Sequence, residues 1–338
     1  MGFITRFLSS YSASFEAALL IWPFASMALT LPILAYLYHR DGHIRALSAA
    51  GAYIAVLYLM GLACFTLYPL PSGDTGPGIT YGLDPILNPL HFIDDIRKDG
   101  IAPVAQLVAN AALFVPLGFI VQRGLRWGWP HAFVIGFAVS LVIECAQLTG
   151  LFGIYPYAYR TFETTDLITN TAGAVIGWFG AAALGRVLPA RPDVEPPITD
   201  KPGFVRRMVA FCIDATLALV ASLVAGAALM LALYATGAPF APLFAPPLTA
   251  LLGALALVVV EVVIPWRRGG RTPGGSFVRM TFETRPRAGA RRILFYAARF
   301  FVILCACGLP GIEPRFGLVT LFCLVFYLIK RKMPYDLI

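Results

Sequence analysis

Nine apolar runs, each about 20 residues long, follow one another along this chain, and that length carries an α-helix across a bilayer core. They fall at approximately 17–38, 47–69, 101–121, 129–149, 165–185, 207–235, 243–264, 293–311 and 316–330. Such runs leave few structural options. In hydrocarbon every backbone N–H and C=O must find a partner within the segment, which a helix achieves and a loop or open sheet edge does not. The expected fold class is therefore all-α, a polytopic transmembrane helical bundle. Composition agrees, with 59% hydrophobic and 13% charged residues and a mean hydropathy of +0.76, against roughly 25% charged residues in soluble domains.

The basic residues sort the connections into two sets. The loops HRDGHIR, RGLRW, RVLPARPDVEPPITDKPGFVRR, WRRGGRTPGGSFVRMTFETRPRAGARR and the terminal KRK hold 20 of the 26 Lys and Arg, leaving Arg6, Arg97, Lys98, Arg160, Arg299 and Arg315 elsewhere. Positively charged loops stay cytoplasmic. The expected topology has the N-terminus outside, the C-terminus in the cytoplasm, and loops 70–100 and 150–164 facing outward across a bacterial inner or plasma membrane. The net charge of +8 then reads as topogenic charge attracted to anionic membrane lipids, and no nucleic-acid partner is expected. The first apolar run is too long for a cleaved signal peptide and is expected to remain as an anchor.

The six cysteines lie inside or at the edges of the runs, away from the outward loops, so no disulfide framework is expected. His39, His43, His91 and His131 are scattered, whereas zinc needs three or four convergent ligands. No metal or other cofactor is expected.

A Pro-rich stretch carrying both signs of charge, residues 186–203, neither continues a helix nor suits lipid, and it separates two modules, 1–185 with five runs and 204–338 with four. The halves share no repeat, which argues against an inverted-repeat transporter.

In the first module Glu163, Asp166, Asn170, Gly173 and Gly177 follow at spacings of 3, 4, 3 and 4, one stripe of one helix. The stripe is polar at its outer end and becomes Gly173-x-x-x-Gly177 further in, a small-residue seam for close helix packing in lipid. The preceding run ends VIECAQLTG, putting Glu144 and Gln147 on one face of an antiparallel neighbour, with Arg160 in the loop between. A guanidinium there suits a carboxylate, Glu144 or Asp166, or a phosphate. The third run brings Asn110 and Pro116, and the outward loop brings Asn88, His91, Asp94 and Asp95. Polar groups in the membrane face a bundle interior or a wet cavity, so an outward polar pocket is expected from Asn88, Asn110, Glu144, Gln147, Arg160, Glu163, Asp166 and Asn170. Simpler readings stay open for Asp166, as a first-turn charge favoured by the helix dipole behind a Thr164 or Thr165 cap, and for Asn110, as a plain interhelical hydrogen bond.

The order of NP at Asn88, N-x3-F-x-P-x-G at Asn110 to Gly118, E-x2-Q at Glu144 to Gln147 and R-x5-D-x3-N-x2-G at Arg160 to Gly173 resembles the VanZ-like family over about residues 20–185. That family is associated with low-level resistance to the glycopeptide teicoplanin, and the resemblance implies one shared role, which it does not name, for Asn88, Asn110, Glu144, Gln147, Arg160, Asp166 and Asn170.

In the second module Arg207 and Asp214 are seven apart on one helical face, and Glu261 and Arg299 should reach a similar depth. Opposite charges at one depth pair, so an inner-leaflet cluster of Arg207, Asp214, Glu261 and Arg299 is expected, with Asp336 in the terminal PYDL. The order R-x6-D, GRTPGG at Gly270 to Gly275 and PYDL resembles the RDD family over about residues 203–338, some members of which have been proposed to move sodium or protons. Gly275 stands where lysine commonly follows TPG in that family. GGRTPGGS is not a phosphate loop, because G-x4-G-K-[ST] is absent.

Three functions remain open. The first is binding of an amphipathic or phosphate-bearing ligand at the outer leaflet, such as a lipoglycopeptide or a cell-wall lipid intermediate. The second is an intramembrane enzyme on a lipid-linked substrate, with Glu144, Asp166 and His91 as acid and base and Arg160 stabilising an oxyanion, but with no evident nucleophile next to a base, Thr161 and Thr164 being poor candidates. The third is ion or solute transport through the second module.

Overall fold

The computed structural model describes residues 12–68, 70, 84–158, 160–188, 195–236, 246–307 and 317–338. Linker residues 189–194, the expected helix ends near 243, 311 and 316, Arg6, Arg315 and the side chain of Cys307 lie outside the described residues. Among the described residues the chain is helical, with isolated parallel bridges joining Ile86 to Glu163 and Thr199 to Met280. The helices are α1 (Ser12–Asp41), α2 (Ala46–Leu67), α3 (His91–Asp99), α4 (Ala102–Phe119, extended by a π turn over Ile120–Gly124), α5 (Trp129–Leu148), α6 (Thr164–Val187) and α7 (Phe204–Ala235). They continue with α8 (Pro246–Val258, then a π turn over Val259–Val263 and a last turn over Ile264–Arg267), α9 (Pro273–Phe277), α10 (Gly289–Cys307) and α11 (Gly317–Lys330). A 3-10 turn at Pro334–Leu337 ends the chain.

Among the described residues, seven helices are long and apolar enough to span a bilayer: α1, α2, α4 and α5 to α8. Two of the nine expected spans differ. Arg291, Arg292 and Arg299 lower the apolar character of the 19-residue α10, and the 14 residues of α11 rise only about 21 Å at 1.5 Å each, short of a core of about 30 Å. The protein is a multi-pass membrane protein. Its surface fits that setting, since Leu20, Phe24, Met27, Ile54, Val108 and Phe133 are exposed where lipid takes the place of water. Cys64, Cys145, Cys212, Cys305 and Cys323 are unbridged.

The chain divides into two compact units, one of Met1–Leu29 with Ala50–Asp193, the other of Thr30–Ala49 with Val194–Ile338. In the first, α6 packs along α4 and α5. Glycines make this possible: a Cβ at Gly173 or Gly177 would collide with the Ala111 or Val115 carbonyl of α4, and one at Gly118 with the Ala174 carbonyl of α6. Backbone lies on backbone along this seam, the arrangement that small residues permit in lipid. Leu62, Phe114, Leu117, Ile143 and Ala174 form the adjoining core. Pro116 interrupts the α4 ladder, and the Tyr58 hydroxyl donates to the Leu113 carbonyl at 2.9 Å beside that break. Between α5 and α6 the chain reverses through left-handed residues, Gly150 (φ 62°), Leu151 (φ 56°), Phe152 (φ 58°) and Gly153 (φ 90°). Gly150 is required there because a Cβ would meet the Tyr155 and Tyr157 carbonyls.

The second unit is built round Ala35, Tyr38, Val209, Val278, Met280, Phe282, Phe295 and Tyr335. Its Thr272 caps the short α9, accepting from the Gly275 amide at 2.9 Å, so that the TPGG turn presents its backbone to α7.

Candidate functional site

In the first unit the ends of α2, α4, α5 and α6 enclose a cavity of about 700 Å³. Its polar lining includes Asn110, Glu144, Gln147, Arg160, Glu163, Asp166 and Asn170, and its apolar wall includes Phe65, Ala109, Leu113 and Ile143. The 3-4 stripe of α6 supplies three of these polar groups, and the glycine seam below them sets α6 close enough to α4 for direct bonding. Asn110 Nδ2 donates to Asp166 Oδ1 at 2.8 Å. Glu163 is the N-cap residue of α6 but makes no side-chain cap bond. Asp166 is therefore engaged by a neighbouring helix.

On α5, Glu144 is 2% and Gln147 4% exposed. Glu144 Oε2 accepts from the Glu163 amide at 3.0 Å, so a buried carboxylate satisfies one of the N–H groups left open where α6 begins. Gln147 Nε2 donates to the Thr66 carbonyl at 2.7 Å, and Asn170 Nδ2 donates to Ser140 Oγ at 2.9 Å.

Arg160 is exposed at the rim, and its Nη1 donates to the same Thr66 carbonyl at 3.3 Å. The expected salt bridge to Glu144 or Asp166 is not formed. The reason lies in α2, whose final carbonyls lack intrahelical partners and draw both Arg160 and Gln147. Beside it, burial together with the Asp166 and Asp95 carboxylates pushes the Glu163 carboxyl above the usual glutamate range.

Asn88 stands apart from the cavity. It is exposed, and its Oδ1 accepts from the Leu90 amide at 3.1 Å in a local turn, as a short amide side chain readily does. The loop it belongs to is nonetheless tied to the start of α6, through Ile86 N to the Phe162 carbonyl at 2.8 Å and Thr164 N to the Ile86 carbonyl at 3.1 Å. His91, Asp94 and Asp95 are carried on α3, with His91 Nε2 3.5 Å from Asp95 Oδ1 and Asp94 bonded to Arg97 at 3.3 Å.

The second unit buries all five of its expected charged residues, Arg207 (7% exposed), Asp214 (0%), Glu261 (1%), Arg299 (2%) and Asp336 (2%). Within the expected set, Arg207 bonds Asp336 at 2.7 Å, while Asp214 Oδ1 accepts from the Gly274 amide at 2.6 Å. The TPGG turn is pressed against α7 so closely that a Gly274 Cβ would overlap the Ala210 carbonyl. Arg299 bonds the Glu261 carboxylate and, at 2.8 Å, the Glu261 carbonyl, which lies in the π turn of α8. Asp214 Oδ2 and Glu261 Oε1 have no hydrogen-bond partner.

A VanZ/LLP1 family model matches residues 55–185, and an RDD family model matches residues 201–338. The chain joins a VanZ-like domain to an RDD domain. No curated protein and no solved structure matches the chain. Every named residue of the cavity lies within the VanZ-like match, and all five buried charges lie within the RDD match.

Sequence reasoning missed several participants in the VanZ-like domain. Gln106 lines the cavity, and Ser140 orients Asn170; Thr161, offered by the sequence only as a poor nucleophile, is in the lining as well. Gln106 and Ser140 precede Asn110 and Glu144 by four residues each, so the same helical spacing would have found them. In the RDD domain Thr272 is fully buried, and its cap bond to Gly275 reveals its part in holding the turn.

Proposed function

We propose that the VanZ-like module is an envelope binding module whose cavity opens to the outer face and takes an amphipathic ligand, with Arg160 at the mouth for any phosphate or carboxylate the ligand carries. The observation that carries this reading is the gathering of Asn110, Glu144, Gln147, Arg160, Glu163, Asp166 and Asn170 round one cavity that also has an apolar wall. Such a mixture suits a molecule with a polar head and an acyl tail, and a cavity of about 700 Å³ is within the range of small-molecule sites. Loop charge supports the orientation, with residues 1–185 forming the ligand-binding module and 204–338 a second module on a cytoplasmic linker. The VanZ-like match supports a role in tolerance of teicoplanin-type lipoglycopeptides or of envelope stress.

The test compares cells carrying the parent, Arg160→Ala or Glu144→Gln at equal membrane levels. The parent is expected to raise tolerance of teicoplanin, and both variants to lose most of that protection. Equal protection by all three would overturn the reading.

A second reading rests on the RDD module. Asp214 and Glu261 are two buried carboxylates facing one guanidinium, Arg299, and each has an oxygen without a partner. Ion movement through that module predicts flux in proteoliposomes that Asp214→Asn abolishes; no flux from the parent would retire it.

A further inference from the structure

The hydrogen-bond inventory of the VanZ-like cavity is one-sided. Three of the four amide side chains in its lining each already place one N–H inside the protein, Asn110 on Asp166, Gln147 on the Thr66 carbonyl and Asn170 on Ser140, while the fourth, Gln106, is exposed. Glu144, Glu163 and Asp166 are acceptors only when ionised. The single cationic side chain of the lining, Arg160, sits exposed at the rim with one of its donors on Thr66. Among the groups left over, carboxylate oxygens and Asn170 Oδ1 outnumber the spare amide N–H of Asn110, Gln147 and Asn170.

Asn170 makes this explicit. It is 4% exposed, lines the cavity, and its Oδ1 has no hydrogen-bond partner. A buried carbonyl oxygen without a donor loses its water without replacement, so the folded protein carries an unmet demand for an N–H at this spot. Charge points the same way. When ionised, three carboxylates in the lining face one guanidinium, and a polar cavity beside lipid holds such an excess of negative charge only with a counter-charge, a proton or a bound cation.

We propose that the group entering this cavity is the primary ammonium of an amphiphile, seated between Glu144, Asp166 and Asn170 Oδ1, with its chain along Phe65, Leu113 and Ile143. A phosphate would meet Arg160 only at the rim and repulsion from three carboxylates further in. An ammonium brings three N–H donors to the acceptors that lack them. This inference rests on the ligand-binding reading given above and assigns the charge of the ligand. Two sources carry the chemistry, an aminolipid headgroup of the membrane and a soluble amine-bearing amphiphile.

The full chain in dodecyl maltoside is titrated with dodecylammonium and with dodecyl phosphate, which share one tail and differ in head charge, and binding is read by calorimetry. Dodecylammonium is expected to saturate, with affinity about tenfold weaker in Asp166→Asn and in Glu144→Gln. Glu163→Gln, nearer the rim, serves as the acidic variant if either of those does not fold. Saturation by dodecyl phosphate alone would overturn the ammonium assignment and leave the ligand-binding reading standing. Dodecylammonium binding that neither variant weakens would overturn the assignment as well. Saturation by neither amphiphile, on a parent protein that still unfolds cooperatively, would overturn both. In nanodiscs, competition of phosphatidylethanolamine but not phosphatidylcholine with dodecylammonium identifies the membrane headgroup as source. Absence of competition identifies the soluble amphiphile, and the ammonium assignment holds in either case.

Discussion

Asn110 on α4 donates its side-chain amide to the Asp166 carboxylate on α6 at 2.8 Å, within the cavity that both residues line. The bond decides between readings that the sequence leaves open. Asp166 is held from a second helix, and Asn110 serves both as interhelical bond and as wall of the site. Asn110→Leu removes the one donor that the described residues give the Asp166 side chain while keeping the volume close, so the carboxylate loses a charge-assisted bond. A loss of about 1–3 kcal/mol in unfolding free energy is expected, together with weaker ligand retention, measured by thermal unfolding in detergent beside calorimetric binding. Unchanged stability and binding would show that the bond is incidental.

The glycine seam makes a sharper demand. A methyl group at Gly173 or Gly177 falls on a main-chain carbonyl of α4, and neither backbone can move aside as a flexible side chain would. Gly173→Ala should destabilise by about 1–3 kcal/mol, lowering the melting temperature of the purified protein. Gly180→Ala, at a position where an added Cβ meets nothing within 4 Å, should leave it unchanged or slightly raised.

In the RDD domain the bond from Arg207 to Asp336 closes the C-terminal turn onto α7. Asp336→Leu leaves the buried guanidinium unpaired and should cost about 3–5 kcal/mol. Adding Arg207→Met removes the stranded charge and should recover part of the loss. A double variant less stable than Asp336→Leu alone would contradict this account; urea unfolding of all three proteins measures it.

Glu163 gives a pH dependence. Its folded carboxyl titrates above the usual glutamate value, first from burial and then from Asp166 and Asp95, so the folded protein holds the proton more tightly than the unfolded chain. Parental stability should therefore fall as pH rises from about 4, the unfolded glutamate value, through the raised folded value. Glu163→Gln removes that slope. The variant should match the parent in acid and melt higher than the parent at neutral pH, read as melting temperature across the series.

The polar stripe and the glycine seam of α6 were legible because one period, 3.6 residues, fixes which side chains share a face. Pairings made by segments distant in sequence were not. Nothing in the register of α7 shows that a turn 129 residues away takes Arg207 while the TPGG backbone takes Asp214. Arg160 escaped for a related reason: its partner is a main-chain carbonyl at the end of α2, which no side-chain pattern records. Asn88 was drawn into the pocket by its place in a conspicuous motif, whereas its side chain closes a turn of its own loop. Among the described residues, α10 and α11 fall short of the expected spans at 293–311 and 316–330, whose ends at 308–311 and 316 lie outside those residues.

Because α4 and α6 meet backbone to backbone at Gly118, Gly173 and Gly177, the spacing between the two helices that carry Asn110 and Asp166 has no side-chain rotamers with which to adapt. That spacing is a fixed dimension, set by main-chain van der Waals radii. Substitutions in the lining can recolour the chamber, exchanging charge or polarity, without moving these two walls apart, and accommodation of different guests falls to side chains of the lining and to the exposed Arg160 at the rim. A molecule too long for the chamber must leave its tail in the surrounding lipid.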